Sequence, residues 1–555
     1  MSLLRYLAIR AARVAALRLH ARVARFKKSC ENPEALQYEL LTRILQRQAP
    51  TDFGRDHGFA SITSIADYRR QVPIAPYERL APYIERLKNG QTSALLADDT
   101  VRLFALTSGT TAARKFIPIT DRYLADYSRT WAMWGVKFYR EHRPRDLALR
   151  PIVQMVGDPD EFRTSAGIPC GNLSGFTTGL QRPIARRMYS VPMECAKLKD
   201  PLARYYLAVL FNLGRPTSTF FAANPSTLLT LARTLNSERE RLLKDLHDGT
   251  VNASLALPAE IRTAIQARRK PNPRAARELG AIAEKLGRLY PQDVWPAETV
   301  AIGTWTGGSM GPYLRQLPQY FGDAPIRDLG LLASEGRFTL PFEDHSPSGV
   351  LDISSHYFEF VPEAEIDSTQ PTVLGAHELQ LGKAYYLIPT TQAGLYRYHI
   401  SDLVEVTGFL GRTPMVKFLG KGNRFANLTG EKLSEYQVTQ SVELAQRATG
   451  FAVTAYCVAP VWDDSQPYYV IVLEEADHRE GLAKFVSELD AALQRQNIEY
   501  EAKRSGGRLG PLRALKVANG FWAKWDAERL AKTGGSPEQY KHPCLIGDVE
   551  FAKAL

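Results

Sequence analysis

The chain has few cysteines, and their arrangement excludes two kinds of stabilising cross-link. Its 555 residues include five of them: Cys30, Cys170, Cys195, Cys457 and Cys544. An odd number of widely spaced cysteines without a Cys-x-x-Cys pair argues against a disulfide framework and against a structural zinc site. Because no secretory signal is visible either, we expect the protein to be cytoplasmic.

The sequence also lacks any run of about 18 apolar residues, which a membrane-spanning helix would need. Its hydrophobic fraction of 45% and charged fraction of 23% are those of a soluble globular protein. A chain of 555 residues is too long for one simple core, so we expect two or more domains. The formal charge of +11 is spread along the chain. That distribution suits a small anionic ligand such as a nucleotide and gives no reason to expect nucleic-acid binding.

Residues 1–28 are strongly basic, and the first acidic residue is Glu31. Apolar side chains interleave with the arginines, which predicts a basic amphipathic helix over residues 1–30. Two interpretations are open. The helix could contact a membrane surface, or it could pack on the neighbouring domain with its arginines in water. We favour packing.

Strands, glycine turns and helices alternate through most of the chain, which predicts an α/β fold. We expect a large N-terminal domain with mixed sheets and helices over residues 1–419. The pattern changes near Lys421, which Gly420 and Gly422 flank, and Ser434-Glu-Tyr-Gln437 then matches a helix capping box. The rest predicts a small, mobile C-terminal α+β domain over residues 420–555, joined by a hinge at Gly420 to Gly422. We expect a monomer.

Two local predictions concern the middle of the large domain. The helix that starts after Thr120 carries apolar side chains at spacings of three and four, which predicts a buried core stripe. Its members are Leu124, Tyr127, Trp131, Trp134 and Phe138. The segment Gly167 to Gly179 is rich in Gly, Ser, Thr and Asn, which predicts a long loop, either a substrate loop or a surface excursion.

A hydroxyl-rich segment, Thr107-Ser-Gly-Thr-Thr111, follows an apolar run that ends at Leu106. The basic pair Arg114 and Lys115 comes next, and Phe116-Ile-Pro-Ile-Thr120 leads into the helix. This order predicts strand, loop, strand and helix. Such a loop can direct several N–H groups and hydroxyls at one anion, with Lys115 adding charge. A plain polar turn between two strands explains the same composition.

Common signatures for nucleotide and zinc sites are absent, including G-x-x-x-x-G-K-[ST], G-x-G-x-x-G and His-Glu-x-x-His. One short pattern, Gly307-Gly-Ser-Met-Gly311, fits the G-x-S-x-G turn of serine hydrolases. Under that hypothesis Ser309 is the nucleophile, His399 the base, and Asp352 or Asp402 the acid.

A second hypothesis combines the hydroxyl-rich loop with three residues far downstream. Glu335 could hold Mg²⁺ beside phosphates, and Asp402 could accept both hydroxyls of a ribose. Lys541 could neutralise charge that develops on a transferring phosphate. Each residue also has an ordinary explanation, as a helix-start carboxylate, a turn residue and a solvated lysine respectively.

In their order along the chain, these segments resemble the plant auxin-responsive acyl-acid amido synthetases, the Gretchen Hagen 3 family of adenylate-forming enzymes. The family patterns T-S-S-G-T-S/T, Y-x-S-S-E, Y-R-x-x-V-G-D and Q-Y-K-x-P correspond to Leu106-Thr-Ser-Gly-Thr-Thr111, Leu331-Leu-Ala-Ser-Glu335, Tyr396-Arg-Tyr-His-Ile-Ser-Asp402 and Gln539-Tyr-Lys-His-Pro543. The resemblance runs from roughly residue 35 to residue 550 and includes Tyr77 to Gly90. Two departures stand out. Leu331 or Leu332 replaces a tyrosine expected against adenine, and Ser401 replaces the glycine before the aspartate.

The resemblance implies a ligase that uses ATP and Mg²⁺ to activate a small carboxylic acid as an acyl-adenylate, and then transfers the acyl group to an amino acid. An acyl-CoA ligase of the same superfamily is the alternative. The implied catalytic residues are Glu335, which would bind Mg²⁺, and Lys541. The implied nucleotide contacts are Thr107, Ser108, Gly109, Thr110, Thr111, Lys115, Thr120, Leu331, Leu332, Ala333, Ser334, Glu335, Gly336, Asp402, Lys421 and Lys541. The implied acyl-substrate contacts are Thr111, Gly307, Gly308, Ser309 and Met310, so Ser309 would not be a nucleophile.

Overall fold

The structure is a computed structural model, and its described residues form two compact units. It describes residues 17–107, 115–142, 150–181, 183–366, 368–422, 425–426, 428–429, 431, 433–463, 466–533 and 540–555. The first unit comprises Met1–Thr306, Gln316–Ile400 and Glu405–Lys417. The second comprises Gly307–Arg315, Ser401–Val404 and Phe418–Leu555. The domain boundary at residues 419 and 420, with its hinge, stays a prediction.

Helices of the first unit begin where the sequence supplies caps. The side chain of Asn32 accepts a hydrogen bond from the Ala35 N–H, and Pro33 occupies the first helical position, as the fixed φ of proline favours. The helices are Pro33–Gln48, Asp52–Asp56, Ile65–Gln71, Tyr77–Lys88, Asp121–His142, Leu173–Gly179, Pro183–Arg186, Pro201–Leu210, Pro225–Ser237, Arg239–Asp248, Ala259–Gln266, Pro273–Leu286, Pro291–Val294 and Leu317–Phe321.

Three larger sheets lie in the N-terminal and central parts of the chain. A parallel sheet has the order Ile152–Gln154, Thr219–Phe221, Ala301–Gly303 and Ile326–Arg327. A mixed sheet has the order Lys115–Thr120, Val101–Thr107, Pro169–Gly171 and Phe162–Arg163. The seven-stranded sheet has the order Thr339–Leu340, Gly349–Leu351, Thr413–Lys421, Asp402–Leu410, Ala384–Thr390, Tyr357–Pro362 and Leu374–Gly375. These sheets, with the helices around them, confirm the mixed helix-and-sheet fold.

The second unit is a small α+β body. Its three-stranded sheet has the order Cys457–Val461, Tyr468–Glu474 and Arg513–Val517. The helices are Gly311–Leu314, Glu435–Thr449, Leu482–Gln496, Ile498–Ser505 and Phe521–Thr533, and the short strands Phe425–Ala426 and Leu433–Ser434 form a pair. The predicted capping box is confirmed, because the Ser434 and Gln437 side chains each accept a hydrogen bond from the other's backbone N–H.

The described part of the N-terminal basic segment, residues 17–29, is helical. Val23 and Phe26 are buried, whereas Arg18, Arg22 and Arg25 are exposed, so this part packs on the protein through its apolar side chains. Residues 1–16 of the predicted helix lie outside the described residues. Within the described chain no helix has the length and apolarity needed to cross a membrane. All five cysteines are buried free thiols.

The structure contradicts the loop predicted over Gly167 to Gly179. Pro169–Gly171 is a strand, and Leu173–Gly179 is a helix that Asn172 caps by accepting the Ser174 N–H. The Ser, Thr and Asn residues that indicated a loop therefore cap the helix or lie within it. The stripe on the helix Asp121–His142 differs in two members, because Leu124 and Trp131 are only half-buried, and it gains Tyr123, which is buried.

Candidate active site

Part of the predicted phosphate-binding loop lies outside the described residues, namely Ser108, Gly109, Thr110 and Thr111, so their contacts stay predictions. The strands that carry the loop are described. Val101–Thr107 and Lys115–Thr120 pair antiparallel, and Thr107 lies opposite Lys115. The two strand ends on either side of residues 108–114 therefore lie next to each other.

Tyr77 fixes the strand that re-enters the sheet. Its hydroxyl accepts a hydrogen bond from the Phe116 N–H at 2.9 Å and lies 3.4 Å from the Phe116 carbonyl oxygen. The Lys115 ammonium nitrogen lies 5.6 Å from the centroid of the Tyr77 ring. Burial raises the pKa of Tyr77 to about 12, so the phenol stays neutral at ordinary pH. The sequence placed Tyr77 in a family pattern but did not assign it this role.

Thr120 ends that strand and caps the helix Asp121–His142. Its fully buried hydroxyl oxygen accepts a hydrogen bond from the Tyr123 N–H at 3.1 Å. The helix has 22 residues, and its N-terminus therefore carries a partial positive charge. The predicted nucleotide contact of Thr120 stays a prediction, but the structure shows a capping role that the sequence analysis did not assign.

Glu335 lies in a tight turn between the strands Leu332–Ala333 and Gly336–Arg337. The residue is only 6% exposed. Burial is the main cause of the raised pKa values of Tyr77 and Tyr123, and the Glu335 carboxylate raises both further. Glu335 is therefore within electrostatic reach of both phenols, which places it in the same region as Lys115.

The backbone around Glu335 is held in place on the side where adenine is predicted to bind. The Leu331 N–H donates to the Thr339 hydroxyl at 2.7 Å, and the Phe338 N–H donates to the Leu331 carbonyl oxygen at 2.8 Å. A Cβ atom at Gly336 would lie 2.8 Å from Nε2 of His356, so a larger residue would not fit there. Leu331, Leu332, Ala333 and Ser334 are half-buried.

No group of three or more His, Cys, Asp or Glu side chains in the described part of the chain could hold a metal ion. Magnesium in nucleotide sites is held by one or two carboxylates together with phosphate oxygens and waters. The single buried carboxylate of Glu335 fits a cation that arrives with nucleotide phosphates.

In the second unit, two predicted nucleotide contacts touch each other. The Lys421 ammonium group forms an ion pair with the Asp402 carboxylate. Asp402 is only 2% exposed, whereas 39% of the Lys421 side chain is exposed. Asp402 begins one strand of the seven-stranded sheet, and Lys421 ends the neighbouring strand. A neutralised buried carboxylate with an exposed lysine head is suited to polar ligands that carry phosphate.

Arg397, which precedes Asp402 in its sequence pattern, holds the backbone in place. Nε of Arg397 donates to a Glu359 carboxylate oxygen at 2.7 Å, and both side chains are buried. Nη1 of Arg397 donates to the carbonyl oxygens of Arg69 and Val72. The ion pair and its hydrogen bonds anchor the chain before Asp402.

Ser401 adopts a left-handed backbone conformation with φ +65°, at the position where the family pattern has glycine. A Cβ atom in the left-handed region destabilises the folded state by about 1–2 kcal/mol. Glycine removes that strain, but it loses more backbone entropy on folding, which offsets part of the gain. We expect Ser401→Gly to raise the free energy of unfolding by about 0.5–1 kcal/mol, measured by urea denaturation. Ser401→Ala keeps the Cβ atom and removes the hydroxyl, so it should give no gain. A loss of stability in Ser401→Gly would contradict backbone strain at this position.

Lys541 lies in a segment that Asp526 holds on both sides. The Tyr540 hydroxyl donates to Asp526 at 2.7 Å, and Nδ1 of His542 lies 2.8 Å from the same carboxylate. Nε2 of His542 lies 3.0 Å from the Tyr456 carbonyl oxygen. Asp526 is therefore a positioning residue for Lys541. Asp526 was not predicted from the sequence, because no sequence pattern links it to Lys541.

Within the second unit, the predicted acyl-substrate turn and Lys541 both lie next to the Phe418 ring. Gly308 has φ +62°, and a Cβ atom there would lie 3.2 Å from the Phe418 ring. The Lys541 ammonium nitrogen lies 5.0 Å from the centroid of that ring. Met310 is buried, and the Ser309 side chain lies outside the described part of the structure. Phe418, which the sequence analysis did not single out, connects the two predicted elements.

The geometry gives the hydrolase hypothesis no support. One Asp352 oxygen accepts hydrogen bonds from the Thr130 and Ser355 hydroxyls, and Asp402 is paired with Lys421. Both candidate acids are thus engaged by other side chains. The left-handed conformation falls on Gly308 within the described turn, whereas a nucleophile elbow places the strain at the serine.

Comparisons with known proteins cover nearly the whole chain. The GH3 family N-terminal domain matches residues 22–326, the GH3 family central domain residues 349–421, and the GH3 family C-terminal domain residues 436–550. A jasmonoyl–L-amino acid synthetase of Nicotiana attenuata is 23% identical, over 96% of this chain and 94% of its own. An indole-3-acetic acid-amido synthetase of Oryza sativa subsp. indica is 26% identical, over 93% of this chain and 88% of its own.

The fold is shared with a solved structure of this kind. The GH3.15 acyl acid amido synthetase in complex with 2,4-DB superimposes with a TM-score of 0.82, at 20% identity, over 97% of this chain and 95% of that chain. The family matches follow one another in order, and the N-terminal match alone spans more than half of the 555 residues. The chain therefore belongs to the GH3 family.

Proposed function

We propose that this chain is an ATP-dependent acyl-acid amido synthetase, which joins a small carboxylic acid to the amine of an amino acid. The observation that carries the proposal is the position of the buried Glu335 carboxylate, within electrostatic reach of the same phenol that Lys115 faces. A cation-binding carboxylate and a lysine at the base of a hydroxyl-rich loop are the groups that a bound triphosphate requires. The activities named for the relatives agree with this proposal.

In the first half-reaction, the substrate carboxylate attacks the α-phosphorus of ATP. A bond forms between a carboxylate oxygen and phosphorus, the bond to the bridging oxygen breaks, and pyrophosphate leaves with its electron pair. Glu335 would hold Mg²⁺, which offsets the phosphate charge when it is bound. Lys115 and Lys541 add positive charge, and a fixed in-line geometry supplies much of the rate.

In the second half-reaction, the amino acid amine attacks the acyl carbon of the adenylate. The new C–N bond replaces the C–O bond to AMP, the amine loses a proton, and AMP leaves. Asp402 would hold the ribose hydroxyls, with Lys421 beside it, so the nucleotide stays in place while the amine enters.

The test is ATP–pyrophosphate exchange with a panel of carboxylic acids that includes auxin-like, jasmonate-like and benzoate-like members. We expect one class of acid to support exchange, and AMP release with that acid to depend on an added amino acid. AMP release that depends on coenzyme A instead would establish the acyl-CoA ligase. Ester hydrolysis without ATP that is lost in Ser309→Ala and kept in Glu335→Ala would overturn the ligase altogether.

A further inference from the structure

Arg337 is a buried cation whose hydrogen-bonding capacity is largely unused. It lies two residues after Glu335 on the strand Gly336–Arg337 and is 1% exposed. Its Nη2 donates to the Leu329 carbonyl oxygen at 2.8 Å. Neither Nε nor Nη1 has a hydrogen-bond partner among the described residues. A buried guanidinium normally has most of its N–H groups bonded, because an unmatched one loses its hydration without compensation.

The two carboxylates that interact electrostatically with Arg337, Asp328 and Asp352, are already engaged. Asp328 accepts hydrogen bonds from the Thr306 N–H and hydroxyl at 2.6 and 2.7 Å, and from the Gly330 N–H at 2.5 Å. Asp352 accepts from the hydroxyls of Thr130, Ser354 and Ser355. Burial lowers the pKa of Arg337 to about 10, while both carboxylates oppose that change. The guanidinium therefore stays charged at neutral pH, and neither acid bonds its free N–H groups.

Arg337 lies against aromatic side chains of the helix Asp121–His142. Its guanidinium carbon is 4.0 Å from the centroid of the half-buried Trp131 ring, and it interacts electrostatically with the Tyr127 phenol. Glu335 acts on Tyr123, which stacks on Tyr127 with centroids 5.8 Å apart. Because Arg337 follows Glu335 by two residues, their Cα atoms lie at most about 7 Å apart.

We propose that Arg337 binds a second carboxylate on the acyl substrate, so that the preferred acid is a dicarboxylate. This rests on the proposed function. The activated carboxyl group lies near Glu335, the carbon chain extends along Tyr127 and Trp131, and the remote carboxylate accepts hydrogen bonds from Nε and Nη1 of Arg337. Charge-assisted bonds to a buried guanidinium are strong, and a substrate that cannot form them leaves the cation unmatched.

The test compares acids of equal length in ATP–pyrophosphate exchange: adipate against hexanoate, and suberate against octanoate. We expect the wild-type protein to use the better dicarboxylate with kcat/KM at least about tenfold above its monocarboxylate, because a site that hydrogen-bonds a substrate group discriminates strongly against analogues without it. Arg337→Met should bring that ratio to one or below, and Arg337→Lys should reduce it. Monomethyl adipate replaces the remote carboxylate with a neutral carbonyl group and should be used no better than hexanoate.

Arg269→Met is the matched control, since Arg269 also stacks on an aromatic ring, Phe211, and donates to backbone carbonyl oxygens. Its contacts are at the end of the helix Pro201–Leu210, so its replacement should leave the ratio unchanged. A wild-type ratio near one, a ratio retained in Arg337→Met, or equal use of monomethyl adipate would each overturn the proposal. If Arg337→Met does not fold, the kcat/KM ratios of the wild type and of Arg337→Lys test the proposal instead. Exchange with monocarboxylates alone overturns only this proposal, whereas exchange with no acid overturns the proposed function.

Discussion

Replacing Glu335 with glutamine is expected to lower the rate of acid-dependent ATP–pyrophosphate exchange by about 10³-fold or more, equivalent to roughly 4 kcal/mol of transition-state stabilisation. The carboxylate is buried in a two-residue turn, and glutamine has nearly its size and shape, so the substitution removes charge without removing volume. A neutral amide is a poor ligand for a hard divalent cation beside phosphates. The Mg²⁺ concentration needed for half-maximal exchange should rise as well.

The control for this variant is Glu39→Gln, which removes a carboxylate that is 71% exposed and lies 4.0 Å from its helical neighbour Arg43. Surface pairs of this kind contribute little to stability, so its exchange rate should match the wild type. Thermal unfolding should show that both variants are folded. Exchange by Glu335→Gln within tenfold of the wild type would contradict a role for this carboxylate in adenylation.

The sequence predicted the elements of the site better than the supports that hold them. The two strands and the helix around residues 101–142 follow from two apolar runs and a helical periodicity, which are local signals. Asp402 and Lys421 were each predicted as nucleotide contacts, and the structure adds that they form an ion pair across adjacent strands. Each of these features depends on residues close in sequence or on a pattern already associated with the chemistry.

The contacts that hold the site residues in place join segments that are far apart in sequence, and periodicity does not predict such contacts. Tyr77 bonds the backbone of Phe116, and Asp526 bonds both neighbours of Lys541, at sequence separations that no local pattern marks. The predicted loop from Gly167 to Gly179 failed for a different reason. Ser, Thr and Asn favour turns and helix caps equally, and here Asn172 starts a helix. The arginine at position 337 gave no signal, because an arginine in a strand is ordinarily exposed at the surface.

Replacing Lys541 with methionine is expected to lower ATP–pyrophosphate exchange by about 10²–10³-fold, the usual cost of removing one group that stabilises developing charge. Methionine retains most of the aliphatic stem, which should preserve packing near Phe418, 5.0 Å from the lysine nitrogen. If the ammonium group acts on the phosphate during adenylation, a synthetic acyl-adenylate should bypass the defect. Lys541→Met supplied with that intermediate should then form amide at close to the wild-type rate.

That comparison separates two roles for Lys541. A lysine that only holds the segment in place would affect both half-reactions, since Tyr540 and His542 beside it are fixed by Asp526. Lys553→Met is the matched control, because Lys553 is in the same unit and its ammonium group lies 3.3 Å from the exposed Glu550 carboxylate. It should leave both half-reactions unchanged. Equal losses in exchange and in amide formation from the synthetic adenylate would contradict a charge role for Lys541 in the first step. The Lys541 side chain would then be assigned to holding its segment in place.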